Sequence, residues 1–375
     1  MRVALLTTNL QPDNGWATVA VQRGAALMAQ GVDIVALTAR QDRPPIGITP
    51  TEVRPVLPRL RPGNRKVIDI LLSSQAIQRA TADCDLVDSV CEPYALGCLP
   101  ASRRGVLVVT AHGSYVPLVS ARGPASAIYR AIYRRVHIAA VSAYTARRVA
   151  QALGTPPPVV VLSGVDYDFY QPARPRPNKR GPTVLCVGAV KKRKGVHVLI
   201  EAIAQAARSI PDLQCVVAGK LAERGYTRLI REQVARLGLE DRVHLVGHLP
   251  YEEVIGWYQA ADLFVMPSLS GPTHFEGFGL VILEANACGL PAIGSRDSGN
   301  ESAIEEGVSG YLVAQRDPQA LGGRIVEVLA DDALRRRLAQ GARDFAQAHT
   351  WQRSAADMLR FYESVLAENQ QGASR

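Results

Sequence analysis

The sequence predicts an α/β protein built from two doubly wound domains in tandem, and three observations lead to this prediction. Short apolar, β-rich runs alternate with longer helical patterns, as is typical of a parallel sheet covered by helices. The alternation stops in a segment rich in proline and basic residues, 171–182, and then starts again. A chain of 375 residues is also long enough for about two domains.

Each predicted element follows from this alternation. In the first half, strands are predicted at 2–6, 33–38, 86–90, 106–110, 138–142 and 159–162, with a helix at 18–30 that ends before Gly31. In the second half, strands are predicted at 184–187, 214–218, 243–246, 263–267 and 291–294, and helices at 196–209, 228–237, 252–260 and 280–287.

We therefore assign residues 1–172 to an N-terminal domain, 173–182 to a linker and 183–350 to a C-terminal domain. Ligands of doubly wound sheets bind beyond the carboxyl ends of the strands. A cleft between two such domains is thus the expected site of a two-substrate reaction.

The composition is that of an ordinary globular protein, with 47% apolar and 21% charged residues. There is no run of about 18 apolar residues that would span a membrane, and the start resembles a first strand more than a signal peptide, so a cytoplasmic location is expected. The six cysteines form no C-x-x-C pair and are expected to be free thiols. Neither G-x-G-x-x-G nor a phosphate-binding P-loop occurs, which argues against a dehydrogenase and against a P-loop kinase.

The net charge of +9 lies mostly in the first half. Residues 1–175 contain 19 Lys/Arg and 11 Asp/Glu, whereas the remainder contains 24 and 23. Such a basic half favours an anionic partner, which could be a membrane surface, an acidic glycan or nucleic acid, although solubility alone also explains it.

The segment 275–284, with the sequence FEGFGLVILE, has the strongest chemical signal. Its glycines precede a predicted helix, so that a ligand can approach the backbone and the helix N-terminus can bind a diphosphate. Glu276 and Glu284 lie eight residues apart, about 12 Å along a helix. That span suits hydrogen bonds to the two ends of an extended ligand and is too long for the carboxylate pair of a retaining glycosidase.

A second segment, 187–195, has the sequence VGAVKKRKG and follows the first strand of the C-terminal domain. Its four consecutive basic residues would neutralise a phosphate leaving group if they face the cleft. A basic surface turn is the alternative.

These two segments resemble the G-R-L-x-x-x-K-G and E-G-F-G-L-x-x-x-E motifs of glycosyltransferase family four, which has the GT-B fold of two Rossmann-like domains. The resemblance extends along the chain, to a glycine-containing first loop at Asn14-Gly15-Trp16, a mid-domain histidine segment at 110–113 and a G-G-x-x-E-like loop at 298–301. Residues 352–370 resemble the last helix of the family, which returns to the N-terminal domain.

The resemblance implies a retaining hexosyltransferase that uses a UDP- or GDP-sugar as donor and binds it through basic residues, without a metal or other cofactor. Lys194 would contact the donor diphosphate, Glu276 the donor sugar and Glu284 the ribose. The histidine near the reacting sugar would be His112, and Gly15 would approach the diphosphate. Further donor contacts are implied for the backbone of Phe278, Gly279, Leu280, Gly247 and His248.

Ala189 is a departure from the motif, because the family usually has arginine there. Arg193 or Lys192 would have to replace this cation. The acceptor is expected to be a glycan or a lipid-linked molecule, and no nucleic acid is expected. A nucleotide-sugar epimerase and a non-catalytic protein that binds nucleotide-sugars or glycans remain alternatives.

Two further segments each allow two interpretations. Asp83-Cys84-Asp85 has the D-x-D spacing of metal-dependent glycosyltransferases, but turn or capping carboxylates are the preferred interpretation. The segment 54–72 places basic residues beside an apolar helical stretch that carries Ile68, Leu71 and Leu72. It predicts either reversible docking on anionic lipid or a helix that packs its apolar face into the domain. The basic residues of this segment are Arg54, Arg59, Arg61, Arg65 and Lys66.

Overall fold

The structure is a computed structural model that describes residues 1–11, 14–39, 45–60, 65–98, 105–113, 115–116, 119, 123–272 and 274–373. The chain divides into two compact units. The N-terminal unit comprises Met1–Gly164 and the last helix, and the C-terminal unit comprises Val165–Thr350. Each unit has its own parallel sheet, which confirms the predicted fold class.

The sheet of the N-terminal unit has the strand order β3-β2-β1-β4-β5-β6-β7, and its neighbouring strands are parallel. The strands are β1 (Arg2–Leu6), β2 (Asp33–Ala39), β3 (Glu52–Leu57), β4 (Leu86–Ser89), β5 (Val106–Ala111), β6 (His137–Ala140) and β7 (Val159–Val160). The helices are α1 (Gly15–Ala29), α2 (Arg65–Leu72), α3 (Ser74–Ala80), α4 (Ala95–Cys98), α5 (Pro124–Tyr133), α6 (Ala143–Leu153) and, from the end of the chain, α13 (Trp351–Ala373).

The sheet of the C-terminal unit has the order β10-β9-β8-β11-β12-β13. The strands are β8 (Thr183–Val187), β9 (Gln214–Ala218), β10 (Val243–Gly247), β11 (Leu263–Met266), β12 (Ala292–Ser295) and β13 (Gly310–Val313). The helices are α7 (Val196–Ala206), α8 (Arg224–Arg236), α9 (Tyr251–Ala260), α10 (Leu280–Ala287), α11 (Pro318–Ala330) and α12 (Asp332–Ala348).

The central strands form because their apolar residues are buried on both faces of the sheet, as parallel sheets require. All six residues of β5 and all four of β11 are buried. Burial of such strands under α7 and α11 produces the main core of the C-terminal unit. The six cysteines are all free thiols, as predicted. Within the described residues, none of the helices combines the length and apolarity needed to span a bilayer.

The last helix completes the N-terminal unit through buried polar contacts. Arg23 on α1 is 2% exposed and donates from Nε to Ser354 Oγ at 3.1 Å. Tyr362 donates to the buried carboxylate of Asp88, on β4, at 2.6 Å. The carboxylate also accepts a bond from Thr110 at 3.0 Å. Two turns of α13 are thus attached to the first unit by groups that water does not reach.

The division between the units lies earlier than the boundary assigned from the sequence. Val165 N–H donates to the His349 carbonyl at 3.0 Å, and the Tyr170 carbonyl accepts a bond from Gln259 Nε2 at 3.0 Å. Residues 165–172 therefore belong by contact to the C-terminal unit. The sequence showed the proline-rich segment but not these hydrogen bonds.

Candidate functional site

The candidate site of the C-terminal unit lies at the switch point of its sheet, where β8 and β11 are neighbours and the strand order reverses direction. Ligands bind beyond the carboxyl ends of such strands. The segments that follow the two strands are joined there, because Leu269 N–H donates to the Arg193 carbonyl at 2.7 Å. Gly195 permits this approach, since a Cβ atom at this position would lie 1.9 Å from the Pro267 carbonyl oxygen.

Two cations converge on one carboxylate at this point. Lys194 Nζ lies 2.6 Å and Arg193 Nη1 2.9 Å from the same oxygen, Oε2 of Glu276. Ser268 Oγ donates to that oxygen at 3.3 Å. The Glu276 side chain is only 13% exposed. Burial by itself would raise the pKa of Glu276, but the charges of Lys194 and Arg193 outweigh it and lower the pKa to about 2.

The N-terminus of α10 lies four residues after Glu276 in the chain. Leu280 is the first helical residue, and Gly279 precedes it in the left-handed conformation with a φ of 99°. A Cβ atom at Gly279 would lie 3.0 Å from both Asn300 Oδ1 and Met266 Cε, so no larger residue fits there without rearrangement. Phe278 is buried. The first N–H groups of a helix have no intrahelical acceptor and carry partial positive charge, which favours an anion.

The loop 298–301 supports this arrangement from the side. Gly299 N–H donates to the Glu276 carbonyl at 2.8 Å, and Asn300 Nδ2 donates to the Met266 carbonyl at 3.0 Å. Asn300 is completely buried. The G-G-x-x-E-like loop therefore holds the backbone on both sides of the cation cluster.

Glu284 lies on α10 and has a partner that the sequence did not reveal. Tyr258, from α9, is buried and donates its hydroxyl to Glu284 Oε2 at 2.9 Å. Burial raises the pKa of Glu284 to about 7, although the Tyr258 hydroxyl partly opposes this shift. Because α10 begins only at Leu280, the helical distance of about 12 Å between Glu276 and Glu284 does not apply.

Gly15 and His112, the two predicted residues of the N-terminal unit, both follow strands of its sheet. Gly15 is the first residue of α1, after Asn14 as N-cap, and a Cβ atom there would meet nothing within 4 Å. No packing contact of the described residues therefore requires glycine at this position.

His112 comes directly after β5. Its ring bonds to the Val90 carbonyl, while burial, assisted by the charge of Arg23, lowers the pKa of His112 to about 3. The other ring nitrogen, Nε2, is buried without a partner among the described residues. His112 is thus a neutral imidazole at physiological pH, and its buried Nε2 is an unpaired hydrogen-bond acceptor among the described residues.

Family models match both units. A model described as "Glycosyltransferase Family 4" matches residues 13–169, and one described as "Glycosyl transferases group 1" matches residues 170–345. Together they span nearly the whole chain. The chain belongs to glycosyltransferase family four.

Curated relatives of this family-four protein include D-inositol 3-phosphate glycosyltransferases from several bacteria. That of Corynebacterium urealyticum is 32% identical over 227 residues, 57% of this chain and 52% of the relative. That of Frankia alni is 34% identical over 221 residues, 56% of this chain and 53% of the relative. The matches thus span about half the length of the curated relatives.

Solved structures show the GT-B fold. Sucrose-phosphate synthase from Thermosynechococcus elongatus has a TM-score of 0.81 at 23% identity, with 98% of this chain and 99% of that chain covered. HepE of Anabaena, solved in complex with UDP, has a TM-score of 0.75 at 20% identity, with 97% and 100% covered.

The chain departs from the family-four motif at Ala189, where the family usually has arginine. The two residues that could supply this cation, Arg193 and Lys192, lie in different surroundings. Arg193 lies on Glu276, as described above. Lys192 is exposed, and its described hydrogen bond is made by its backbone N–H, which donates to Glu223 Oε2 at 3.0 Å. Arg193 is therefore the cation that joins Lys194.

Gly247 and His248 lie at the carboxyl end of β10. The Gly247 carbonyl accepts a bond from Gly219 N–H at 2.7 Å, which anchors the end of β10 to the loop after β9. His248 is exposed. Nothing in the described contacts brings either residue to Glu276 or Glu284.

The basic segment 54–72 differs from its prediction in both charge and packing. Arg54 is paired with Asp83 at 2.7 Å, and Lys66 donates to the Tyr115 hydroxyl at 3.2 Å. Burial lowers the pKa of Lys66. Arg61 lies outside the described residues. The segment is therefore less available as a continuous basic surface than the sequence suggests.

The apolar face of α2, by contrast, is not packed into the unit. Ile68 is 58%, Leu71 47% and Leu72 79% exposed, whereas Ile70 is completely buried. The interpretation that this face packs into the domain is therefore wrong, because Ile70 occupies the inner side of the helix. We call Ile68, Leu71 and Leu72 the exposed α2 face.

Asp83 and Asp85 of the D-x-D string both bind cationic or backbone donors. Asp83 also pairs with Arg2, at 3.3 Å, and Asp85 Oδ2 accepts a bond from the Arg2 backbone N–H at 2.7 Å. These contacts assign the two carboxylates to the amino-terminal ends of the strands of the first sheet, whereas ligands of such sheets bind at the carboxyl ends.

Proposed function

We propose that the protein is a retaining glycosyltransferase that moves a hexosyl group from a UDP- or GDP-sugar to a glycan or lipid-linked acceptor. The observation that carries the proposal is the convergence of Lys194 and Arg193 on Glu276, beside the N-terminus of α10. This arrangement provides cations and backbone donors where a sugar diphosphate would bind. The names of the curated relatives and the UDP complex of HepE support the same reaction class.

In the proposed reaction, the bond between the anomeric carbon and the diphosphate breaks while the acceptor hydroxyl attacks on the same face. The acceptor proton passes to the departing phosphate, and the new glycosidic bond retains the anomeric configuration. Negative charge develops on the diphosphate, and Lys194 and Arg193 stabilise it together with the N-terminus of α10. In metal-dependent transferases a metal ion stabilises the departing diphosphate, and here these charges would do so.

The two carboxylates have separate tasks in this proposal. When the donor binds, Lys194 and Arg193 turn partly from Glu276 to the diphosphate. Glu276 then accepts hydrogen bonds from hydroxyls of the donor sugar. Glu284, which is held by a hydrogen bond from Tyr258, accepts hydrogen bonds from the ribose hydroxyls. His112 Nε2 accepts a hydrogen bond from a hydroxyl of the reacting sugar, because the neutral ring has no proton on that nitrogen.

Thermal unfolding with a panel of UDP- and GDP-sugars tests donor binding, because a ligand at 100 times its Kd adds about 2.7 kcal/mol of stability. Product analysis without acceptor then separates the function classes. A transferase releases free sugar slowly, an epimerase produces a new nucleotide-sugar, and a binding protein produces neither. Absence of stabilisation by every donor would contradict the proposal.

The replacement of the family arginine has its own test. Arg193→Ala should lose most activity, and the double variant Arg193→Ala with Ala189→Arg should regain it, because the cation returns to the other side of the same loop. Lys192→Ala is the matched control, since Lys192 is exposed and lies on the same turn. If Lys192→Ala loses activity and Arg193→Ala does not, the assignment of Arg193 is wrong.

For the acceptor, we propose that the exposed α2 face docks on anionic lipid, which would make the protein peripheral on the inner face of the membrane. The three apolar side chains would enter the headgroup region. Arg65 on α2 and Arg79 on α3 are exposed and would face the lipid charge, at about 1 kcal/mol per basic residue near the surface. The basic first half of the chain has the same sign.

Sedimentation with vesicles of phosphatidylglycerol and phosphatidylcholine tests this docking. Binding should weaken as salt rises and should disappear in the variant Ile68→Ser, Leu71→Ser, Leu72→Ser. Leu229→Ser is the control, because Leu229 is 49% exposed on α8 of the other unit. If the wild-type protein does not bind at low salt, a soluble acceptor replaces the lipid-linked one.

A further inference from the structure

A buried carboxylate in the N-terminal unit has no role in the proposed reaction. Glu92 follows β4 and opens a short 3-10 turn, Glu92–Tyr94. Its exposure is 0%. No cation is paired with it among the described residues, which is unusual because a buried charge normally requires a partner. A carboxylate that is buried without a paired cation indicates a function other than packing.

The groups around Glu92 are hydrogen-bond donors. The backbone N–H of His112 donates to Glu92 Oε1 at 3.1 Å, and the Tyr133 hydroxyl donates to the same oxygen at 3.3 Å. The backbone N–H of Gly113 and the indole of Trp16 also favour the ionised form, although the Trp16 nitrogen makes no hydrogen bond of good geometry. Four donors from three segments thus surround one carboxyl group.

This arrangement fixes the turn that carries His112. The ring of His112 bonds to Val90 on one side, and its backbone bonds to Glu92. Val90 and Glu92 both belong to the segment that follows β4. The direction of the unpartnered His112 Nε2 therefore depends on contacts with this one segment, and Glu92 supplies the contact that can change with protonation.

We propose that Glu92 is a positioning residue, whose ionised carboxylate holds the His112–Gly113 turn and thereby directs His112 Nε2 toward the reacting sugar. Oε2 of Glu92 is buried without a partner among the described residues, so it is the oxygen that takes up a proton. Oε1 then belongs to a neutral acid and accepts the bonds from His112 N–H and the Tyr133 hydroxyl more weakly, which loosens the anchor of the turn. The kinetic part of this inference rests on the proposed transferase function, whereas the structural part does not.

Glu92 is the member of its cluster that titrates near neutrality. Burial raises its pKa to about 7, against the opposing hydrogen bonds. The neighbouring groups ionise far from this pH, since burial raises the pKa of Cys91, Tyr115, Tyr129 and Tyr133 and lowers that of His112 to about 3. Burial lowers the pKa of Arg23, which acts on His112, although a guanidinium group is protonated at all pH values near neutrality.

The first test uses NMR and requires no activity. The His112 ring proton signal, assigned by its absence in His112→Gln, should move in a step centred near pH 7 although the ring itself does not protonate there. The step should be absent in Glu92→Gln. A step that persists in Glu92→Gln, or that is missing in the wild-type protein, would overturn the proposal.

The second test is the pH profile of kcat. If only the ionised form is active, kcat should fall about tenfold between pH 8 and pH 6. Glu92→Gln should be flat over this range, at or below the wild-type value at pH 6. An acid limb unchanged in Glu92→Gln would show that another group controls it. A protein with the NMR step and no transferase activity would refute the proposed function but not the positioning role.

A conservative variant covers the case in which Glu92→Gln does not fold. Tyr133→Phe removes one donor from the carboxylate, so it should move both the NMR step and the acid limb to higher pH. No movement, or movement to lower pH, would contradict the proposal. Tyr129→Phe is the matched control, because Tyr129 lies on the same helix and its hydroxyl makes no hydrogen bond among the described residues.

Discussion

The ion cluster at Glu276 should give the C-terminal unit a specific sensitivity to acid. Glu276 is paired with Lys194 and Arg193, and its pKa is lowered to about 2 from an ordinary value of 4.5. A carboxylate whose pKa is lowered by folding contributes stability above its unfolded pKa and loses that contribution as the pH falls through its folded pKa. For Glu276 this window extends from pH 4.5 down to pH 2.

The magnitude follows from the same two values. The difference between a pKa of about 2 and 4.5 corresponds to about 3 kcal/mol, because each pH unit is worth about 1.4 kcal/mol. Little of this is lost to solvent screening, since the Glu276 side chain is 13% exposed. Glu276→Gln should therefore remove an acid-dependent contribution of about 3 kcal/mol from the free energy of unfolding of this unit.

Hydrogen exchange of peptides from residues 165–350, measured between pH 2 and pH 6 and corrected for intrinsic exchange rates, resolves the C-terminal unit from the other. The difference in protection between wild type and Glu276→Gln should shrink as the pH falls from 4.5 to 2. Glu327→Gln is the control, because Glu327 forms an exposed salt bridge with Arg324 on α11. If the difference between wild type and Glu276→Gln does not change with pH, the cluster does not hold the charge that the geometry indicates.

The remaining predictions concern the donor. Lys194→Ala should lose at least about 2 kcal/mol of transition-state stabilisation, as is typical for loss of a preorganised group at developing charge, which lowers kcat/KM about 30-fold. A fall in kcat/KM of less than about threefold would remove Lys194 from the diphosphate site. Arg193→Ala should lower kcat/KM more than Lys192→Ala in the same assay. Glu284→Ala should weaken binding of free nucleotide in calorimetry, whereas Glu276→Ala should mainly lower kcat; equal losses of nucleotide affinity would refute the separate tasks.

Much of the fold is predictable because the buried strands of a parallel sheet are continuous runs of apolar residues in the sequence. The predicted strand at 2–6 and the predicted helix at 280–287 have the observed bounds. The edge strand β3 was not predicted, because it contains Pro55 and alternates exposed with partly buried residues. Proline is tolerated at such an edge, where one side of the ladder needs no donor.

The candidate site is predictable only where a residue type and its spacing have a chemical meaning. Lys194 and Glu276 could be identified in this way, although their contact through one oxygen could not. Tyr258 and Glu92 carry no local signal, since a tyrosine in a helix and a glutamate before proline are common. Their importance comes from burial against residues distant in sequence, which only the tertiary structure provides. The same holds for Lys66, whose contact with Tyr115 removes it from the basic surface.

The last helix also has a consequence for the order in which the chain folds. The C-terminal unit, Val165–Thr350, is continuous and has all its strands once residue 350 is synthesised. The N-terminal unit is made before it but lacks α13 until residues 351–373 have been synthesised. Until then Arg23 has no Ser354, and the buried carboxylate of Asp88 has no Tyr362. The unit that is translated first is therefore completed after the other, and a nascent chain must keep these two charged groups solvated until α13 leaves the ribosome.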